Sequence, residues 1–190
     1  MSPVSRAGVT ELAKLRAAPL ADLAEHALDL ALACRAMAER FQHGGKLLAF
    51  GNGLSSTDAH HVAVEFVHPV IVGKRALPAI ALTADVATLT GVGLGGAFAH
   101  QIRHLAEPDD IALGLCSGGG CENVQRGLDQ AREMGLLRVA LTGARVSVSA
   151  EHVLAVASAD PRVVKEVHVT IYHVLWELVH VFLERPGVPR

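Results

Sequence analysis

Two stretches of the 190-residue sequence carry residues suited to holding a small anionic molecule: Phe50-Gly-Asn-Gly-Leu-Ser-Ser-Thr-Asp58 and Cys116-Ser-Gly-Gly-Gly-Cys-Glu-Asn123. Each follows a short apolar run and opens a helical pattern, the place where an open α/β sheet binds its ligands. In the first, Gly51 and Gly53 let backbone approach a ligand, and Asn52, Ser55 and Ser56 add polar groups beside amides that face an anion. The competing reading is a plain helix cap. In the second, Ser117, Gly118, Gly119 and Gly120 can form a nest of amides for a phosphate or sugar oxygen, or simply a flexible turn. A third set is metal-like. His61 and Glu65 stand four apart on one helix and project from one face, and a later helical segment supplies Lys165, Glu166, His168 and His173. Two imidazoles and one carboxylate leave a tetrahedral zinc with an open position, the pattern of catalytic sites. Spacing alone does not bring His173 to the other two.

The elements that position these groups follow from apolar patterning. Pro19 is expected to separate a short helical piece, Val9 to Ala17, from a longer helix, Leu20 to Gln42, that Gly44-Gly45 ends. Strands are expected at 46–50, 77–83, 110–116, 137–142 and 152–157, and helices at 55–67, 97–106, 122–134 and from Pro161 to about Arg185, where Pro186-Gly187 stops the last helix. Strands apolar on both faces, alternating with helices, imply a parallel sheet covered on both sides. The expected architecture is α/β, a three-layer sandwich with a five-stranded parallel sheet. Residues 1–43 form an N-terminal helical region and 44–190 the sheet domain, without a linker. The last helix is apolar around more than one stripe, so it is either central to the fold or covered by another subunit.

Composition narrows the class. With 51% apolar and 19% charged residues the chain can bury a large core, which excludes a disordered tail. Seventeen basic and nineteen acidic residues give a net charge of -2 with no basic block, so nucleic-acid binding is not expected. No apolar run is long enough for a membrane span. The start, MSPVSRAGVTELAKL, lacks the form of a secretory signal, and Cys34, Cys116 and Cys121 are an odd count. A cytoplasmic protein with reduced thiols is expected, and a Cys116–Cys121 disulfide is disfavoured.

The run Gly51-Asn-Gly-Leu-Ser-Ser-Thr-Asp-Ala-His-His-Val-Ala-Val-Glu-Phe-Val67 resembles the GNGGS-x-x-DA-x-H-x-x-x-E signature of the phosphoheptose isomerases, within the sugar isomerase (SIS) domain superfamily. The likeness continues through Leu77–Leu82, Asp110–Leu115, Ala131–Gly135 and Pro161–His168 with His173, nearly the whole chain beyond the first helix. It implies a SIS fold, a homotetramer with sites at subunit interfaces, and isomerisation of sedoheptulose 7-phosphate. Carried over by position, Glu65 is the general base and His173 the general acid. His61, Glu65 and His173 are three ligands of a zinc ion, and Asn52, Gly53 and Ser55 contact substrate. Ser117, Gly118 and Gly119 fall in the phosphate loop.

Four departures accompany the likeness. The family's fourth metal ligand, a Gln, falls on Lys165, whose ammonium donates but does not coordinate; it must turn away or pair with Glu65. The phosphate loop Ser-Thr-Ser-Gly-Asn-Ser falls on Cys116–Cys121 and keeps one hydroxyl, Ser117. Each charge-assisted bond lost there removes about 1.5–3 kcal/mol. A sugar-binding Asn-Asp pair falls on Thr90-Gly91, and the second glycine of GNGG is Leu54. An alternative follows: a non-catalytic SIS protein, of the DnaA initiator-associating type, that binds a phosphosugar or a protein. Retention of His61, Glu65 and His173 favours the enzyme.

Overall fold

In the computed structural model, which describes residues 5–83 and 85–185, the chain runs α1 (Arg6–Asp22), α2 (Ala27–Gln42), β1 (Leu47–Gly51), α3 (Leu54–Val67), β2 (Ala79–Ala81), α4 (Val86–Gly91), α5 (Ala97–Leu105), β3 (Ile111–Cys116), α6 (Glu122–Glu133), β4 (Leu137–Gly143), β5 (His152–Val156) and α7 (Pro161–Glu184). The five strands form one parallel sheet in the order β2-β1-β3-β4-β5. Every residue of β1, β3 and β4 is buried, because alternate side chains enter different cores. Leu47 and Ala49 of β1 pack with α2, α3 and α7, whereas Leu48 and Phe50 pack with α5 and α6. The three-layer sandwich expected from patterning is the fold observed.

The strand order also locates the site. From β1 the chain crosses to β2 on one side and then returns to place β3 on the other. The crevice between the carboxyl ends of β1 and β3 is thus the topological switch point, where such sheets bind ligands. Gly51 pairs with Leu115 there, so the two glycine-rich loops leave the sheet side by side. Gly51 is required: a Cβ would lie 2.7 Å from the Leu115 carbonyl oxygen and 2.8 Å from Ser55 Cβ.

Helix α7 is central to the fold. Val164, Val167, Ile171, Leu175 and Val179 are buried in the same core as α2 and α3. Asp160 caps its first turn by accepting from the Arg162 amide, and Pro161 occupies the first turn, where its missing N–H costs nothing. Its stop at Pro186-Gly187 lies outside the described residues.

Three local expectations are corrected. Pro19 does not separate two helices: α1 continues through it to Asp22, and the break comes at residues 23–26, as a run of tight i→i−3 turns. Packing on α7, pinned by Arg16 Nε and Nη2 donating to Glu166 at 2.5 and 2.9 Å, holds the helix through the proline. Strand β2 is only three residues long, although Leu77 and Leu82 beyond its ends remain buried. Helix α4 was not foreseen; Asp85 nucleates it by accepting from the Ala87 and Thr88 amides.

Candidate active site

Helix α3 carries one end of the site along one side. Glu65 sits one turn beyond His61, and α7, packed across α3, brings Tyr172 and His173 to the same place. Glu65 Oε1 lies 3.1 Å from His61 Nε2 and 3.8 Å from His173 Nε2. The three ligand-capable atoms all fall within 4.8 Å of one another. A tetrahedral zinc with bonds of about 2.0–2.2 Å separates its ligands by about 3.3–3.6 Å, a spacing that the two carboxylate–imidazole distances bracket. The donor set fits the metal.

Tyr172, which sequence reasoning missed, fixes the imidazoles. Its hydroxyl is 2.6 Å from His61 Nδ1, and its ring meets both His61 and His173 edge-on, with centroids 5.2 and 5.1 Å apart. Burial pushes the phenol well above its usual range, so it stays a hydroxyl. It can donate to Nδ1 when Nε2 carries the proton, or accept from Nδ1–H when Nε2 is a ligand. Its one sequence signal was adjacency to His173, which says nothing of direction.

Lys165 turns away from this cluster. Its ammonium pairs with the buried Asp58 and donates to the Leu54 carbonyl and to Thr57 Oγ1, each at 3.1 Å. It thereby braces the first turn of α3 and leaves Glu65 to the histidines. Leu54 itself is 58% exposed. Thr90, where the sugar-binding pair was expected, is on α4 with its hydroxyl bonded back to Val86 and Ala87.

At the switch point lies a cavity of about 120 Å³ lined by Asn52, Ser55, Ser117, Gly118, Gly119 and flanking residues. Ser55 Oγ and Ser117 Oγ are 3.3 Å apart across it. Asn52 donates to the Gly120 carbonyl at 3.0 Å and exchanges amide hydrogen bonds of 2.6 and 2.9 Å with Asn123. Asn123, the second residue missed, ties the loops together and donates to the Leu94 carbonyl as well. Gly53, also expected at this site, holds φ +53° at the start of α3.

The expectation of three reduced thiols is corrected. Cys116 and Cys121 are paired, with Cα atoms 6.3 Å apart, inside the range that a disulfide spans. The strand end and the helix start that flank the glycines bring them together, a proximity that compartment reasoning does not address. Cys34 is free and buried, which pushes its thiol up to about 12.

Residues 13–143 match the SIS domain family. The phosphoheptose isomerase of Thermodesulfovibrio yellowstonii is 38% identical over 162 residues, 81% of each chain. That of Aquifex aeolicus is 39% identical over 150 residues, 75% of this chain and 78% of its own. A solved phosphoheptose isomerase from Francisella tularensis superposes with a TM-score of 0.84 at 29% identity, over 91% of this chain and 96% of that one. The SIS domain match, the identity over three quarters or more of each chain and the shared fold place the chain in the phosphoheptose isomerase family of SIS domain proteins.

Proposed function

We propose that the protein is an aldose–ketose isomerase acting on sedoheptulose 7-phosphate or a close sugar phosphate. One observation carries the reading: Glu65 Oε1 lies 3.1 Å from His61 Nε2 and 3.8 Å from His173 Nε2. Isomerisation moves a proton between adjacent carbons through an enediol and needs a base at carbon and an acid at oxygen. Oε1 faces the imidazoles, and Oε2 makes no hydrogen bond to a described residue, so Oε2 is the atom that takes the proton from carbon. It returns that proton to the neighbouring carbon. His173 supplies and recovers the oxygen proton, keeping the steps balanced. His61, Glu65 and His173 would hold a zinc ion, which would supply positive charge beside the substrate oxygens.

Ser55, Ser117, Asn52 and the amides of Gly118 and Gly119 form the phosphate grip. Ser55 and His61 are six residues apart on α3, about 9 Å along its axis at 1.5 Å per residue. An extended seven-carbon chain with a terminal phosphate is of that length. None of the described helices is long and apolar enough to cross a membrane, and we place the enzyme in the cytoplasm. Exposed Val9, Leu12, Leu15, Leu28 and Leu32 on α1 and α2 supply apolar surface for a homotetramer.

Incubation with sedoheptulose 7-phosphate and detection of the aldose product tests the reading, with metal content measured on protein purified without chelator. Turnover in the wild type and none in Glu65→Gln is the expected result. A non-catalytic binding protein would hold the sugar phosphate in both forms and convert it in neither.

A further inference from the structure

We propose that Cys116 and Cys121 are a thiol–disulfide exchange site that sets the rigidity of the phosphate loop, an inference that rests on the reading of the 120 Å³ cavity as a sugar-phosphate site. Both cysteines line that cavity, and between them lie Ser117 and the three glycines. Open space lies on the side of those glycines where a side chain would project, among the described residues. A Cβ built on Gly119 or Gly120 meets no atom within 4 Å, and one on Gly118 meets only Pro161 Cγ at 3.9 Å. The sulfur bridge closes the two ends of the segment on each other, beside the Asn52 bond to Gly120 and the Ser55–Ser117 contact.

The two sulfurs differ in access. Cys116 is 2% exposed, whereas Cys121 also lines a larger open cavity of about 390 Å³ with Arg145 and Gln125. Exchange thus enters at Cys121. In oxidation, the Cys121 thiolate attacks a low-molecular-weight disulfide and releases one thiol. The Cys116 thiolate then attacks Cys121 Sγ, closing the ring and releasing the second. Two protein thiols lose two protons and two electrons, and the small disulfide becomes two thiols. Reduction reverses both steps, and the freed thiols can donate to the Gly118 carbonyl, which lies 3.3 and 3.1 Å from the two sulfurs.

The bridged loop is the one in which the Ser55 and Ser117 hydroxyls converge on the cavity. Holding that arrangement in advance removes backbone freedom that phosphate would otherwise have to quench. The oxidised form accordingly binds phosphate about three- to tenfold more tightly than the reduced form, with kcat unchanged.

The full-length protein is equilibrated in oxidised and reduced glutathione buffers, alkylated and weighed intact, while the Kd for inorganic phosphate and the KM for sedoheptulose 7-phosphate are measured in each state. The expected result is reversible protection of two thiols, a lower Kd and KM when oxidised, and values for Cys116→Ala that no longer respond to the buffer. Failure of the pair to interconvert, or equal phosphate Kd in the two states, overturns the proposal. Phosphate binding without turnover in either state removes the isomerase reading, and the exchange proposal is then decided by the mass and Kd alone. No phosphate binding in either state overturns both.

Discussion

The two ends of the site are built differently. At the proposed acid–base end every group sits on a helix: His61 and Glu65 on α3, Tyr172 and His173 on α7, with the buried phenol 2.6 Å from His61 Nδ1. At the proposed phosphate end Ser55 opens α3, while Asn52, Ser117 and the glycines sit on two turns tied by an amide pair and a sulfur bridge. The first end keeps the chemical groups that its family resemblance implies, and the second replaces hydroxyls with glycine and sulfur. A base and an acid must be within a fraction of an ångström of their targets to work. A phosphate can be held by many combinations of amide, hydroxyl and shape. Divergence in this chain is tolerated where the tolerance for geometry is greatest.

The largest expected effect breaks the helical end. Glu65→Gln keeps volume and hydrogen bonding but removes the base, and general-base catalysis contributes about 10²–10⁴-fold. The variant is expected to lose at least about a thousandfold in kcat, with KM and the circular dichroism spectrum unchanged. If KM moved instead, Glu65 would be a binding residue and the contrast between the two ends would fail.

The scaffold beneath both ends has its own pH signature. His168 on α7 is fully buried, and neither ring nitrogen reaches a hydrogen-bond partner among the described residues. Burial pushes its imidazole down to about 4 from 6.5, although the Thr142 backbone and Asp58 favour the charged form. Between those values the folded protein holds a neutral ring and the unfolded chain a cation, so unfolding takes up a proton. The stability that this contributes is present above about pH 6.5 and is lost as pH falls toward 4, on the order of 3 kcal/mol in all. Urea denaturation at pH 7 and pH 4.5 reads it. His168→Leu should flatten that part of the profile; an unaltered slope would assign the acid sensitivity to other groups.

At the phosphate end, Ser117→Ala removes the one loop hydroxyl. The lost charge-assisted bond corresponds to a roughly ten- to hundredfold rise in KM, with kcat nearly constant. Steady-state kinetics on sedoheptulose 7-phosphate measures both. A rise in KM with constant kcat sharpens the division of labour, whereas a fall in kcat would mean that the loop also sets the position of the reacting carbons.

How much of this was legible beforehand follows the same division. The loops were legible because glycine and serine after an apolar run have a local meaning, and His61 with Glu65 because four residues return a helix to the same face. Their meeting with His173 depends on α7 crossing α3, 108 residues on from Glu65, and no spacing encodes that. Lys165 was known to be unable to coordinate, but only the position of Asp58 decided which way it turned. Pro19 misled because proline's cost to a helix is local, while the packing of α1 on α7 that keeps the helix through it is not. Cys116 and Cys121 misled because compartment is a weaker guide than the geometry of a strand end and a helix start.

Tyr172→Phe removes a single atom, acts only at limiting zinc, and separates positioning from binding at the helical end. The ring remains, so packing against His61 and His173 and the buried volume are kept, and only the oxygen that meets His61 Nδ1 is lost. Partners of metal-bound histidines typically contribute about 10–100-fold in metal affinity, through tautomer and ring orientation. Zinc competition with a chromophoric chelator should show a loss in that range, together with a comparable fall in kcat at limiting zinc that added zinc restores. The phosphate Kd should not move, because the hydroxyl is remote from the loop pocket. Unchanged zinc affinity would leave Tyr172 a core residue that happens to touch a histidine, and the rigidity of the helical end would then rest on the packing of α3 against α7 alone.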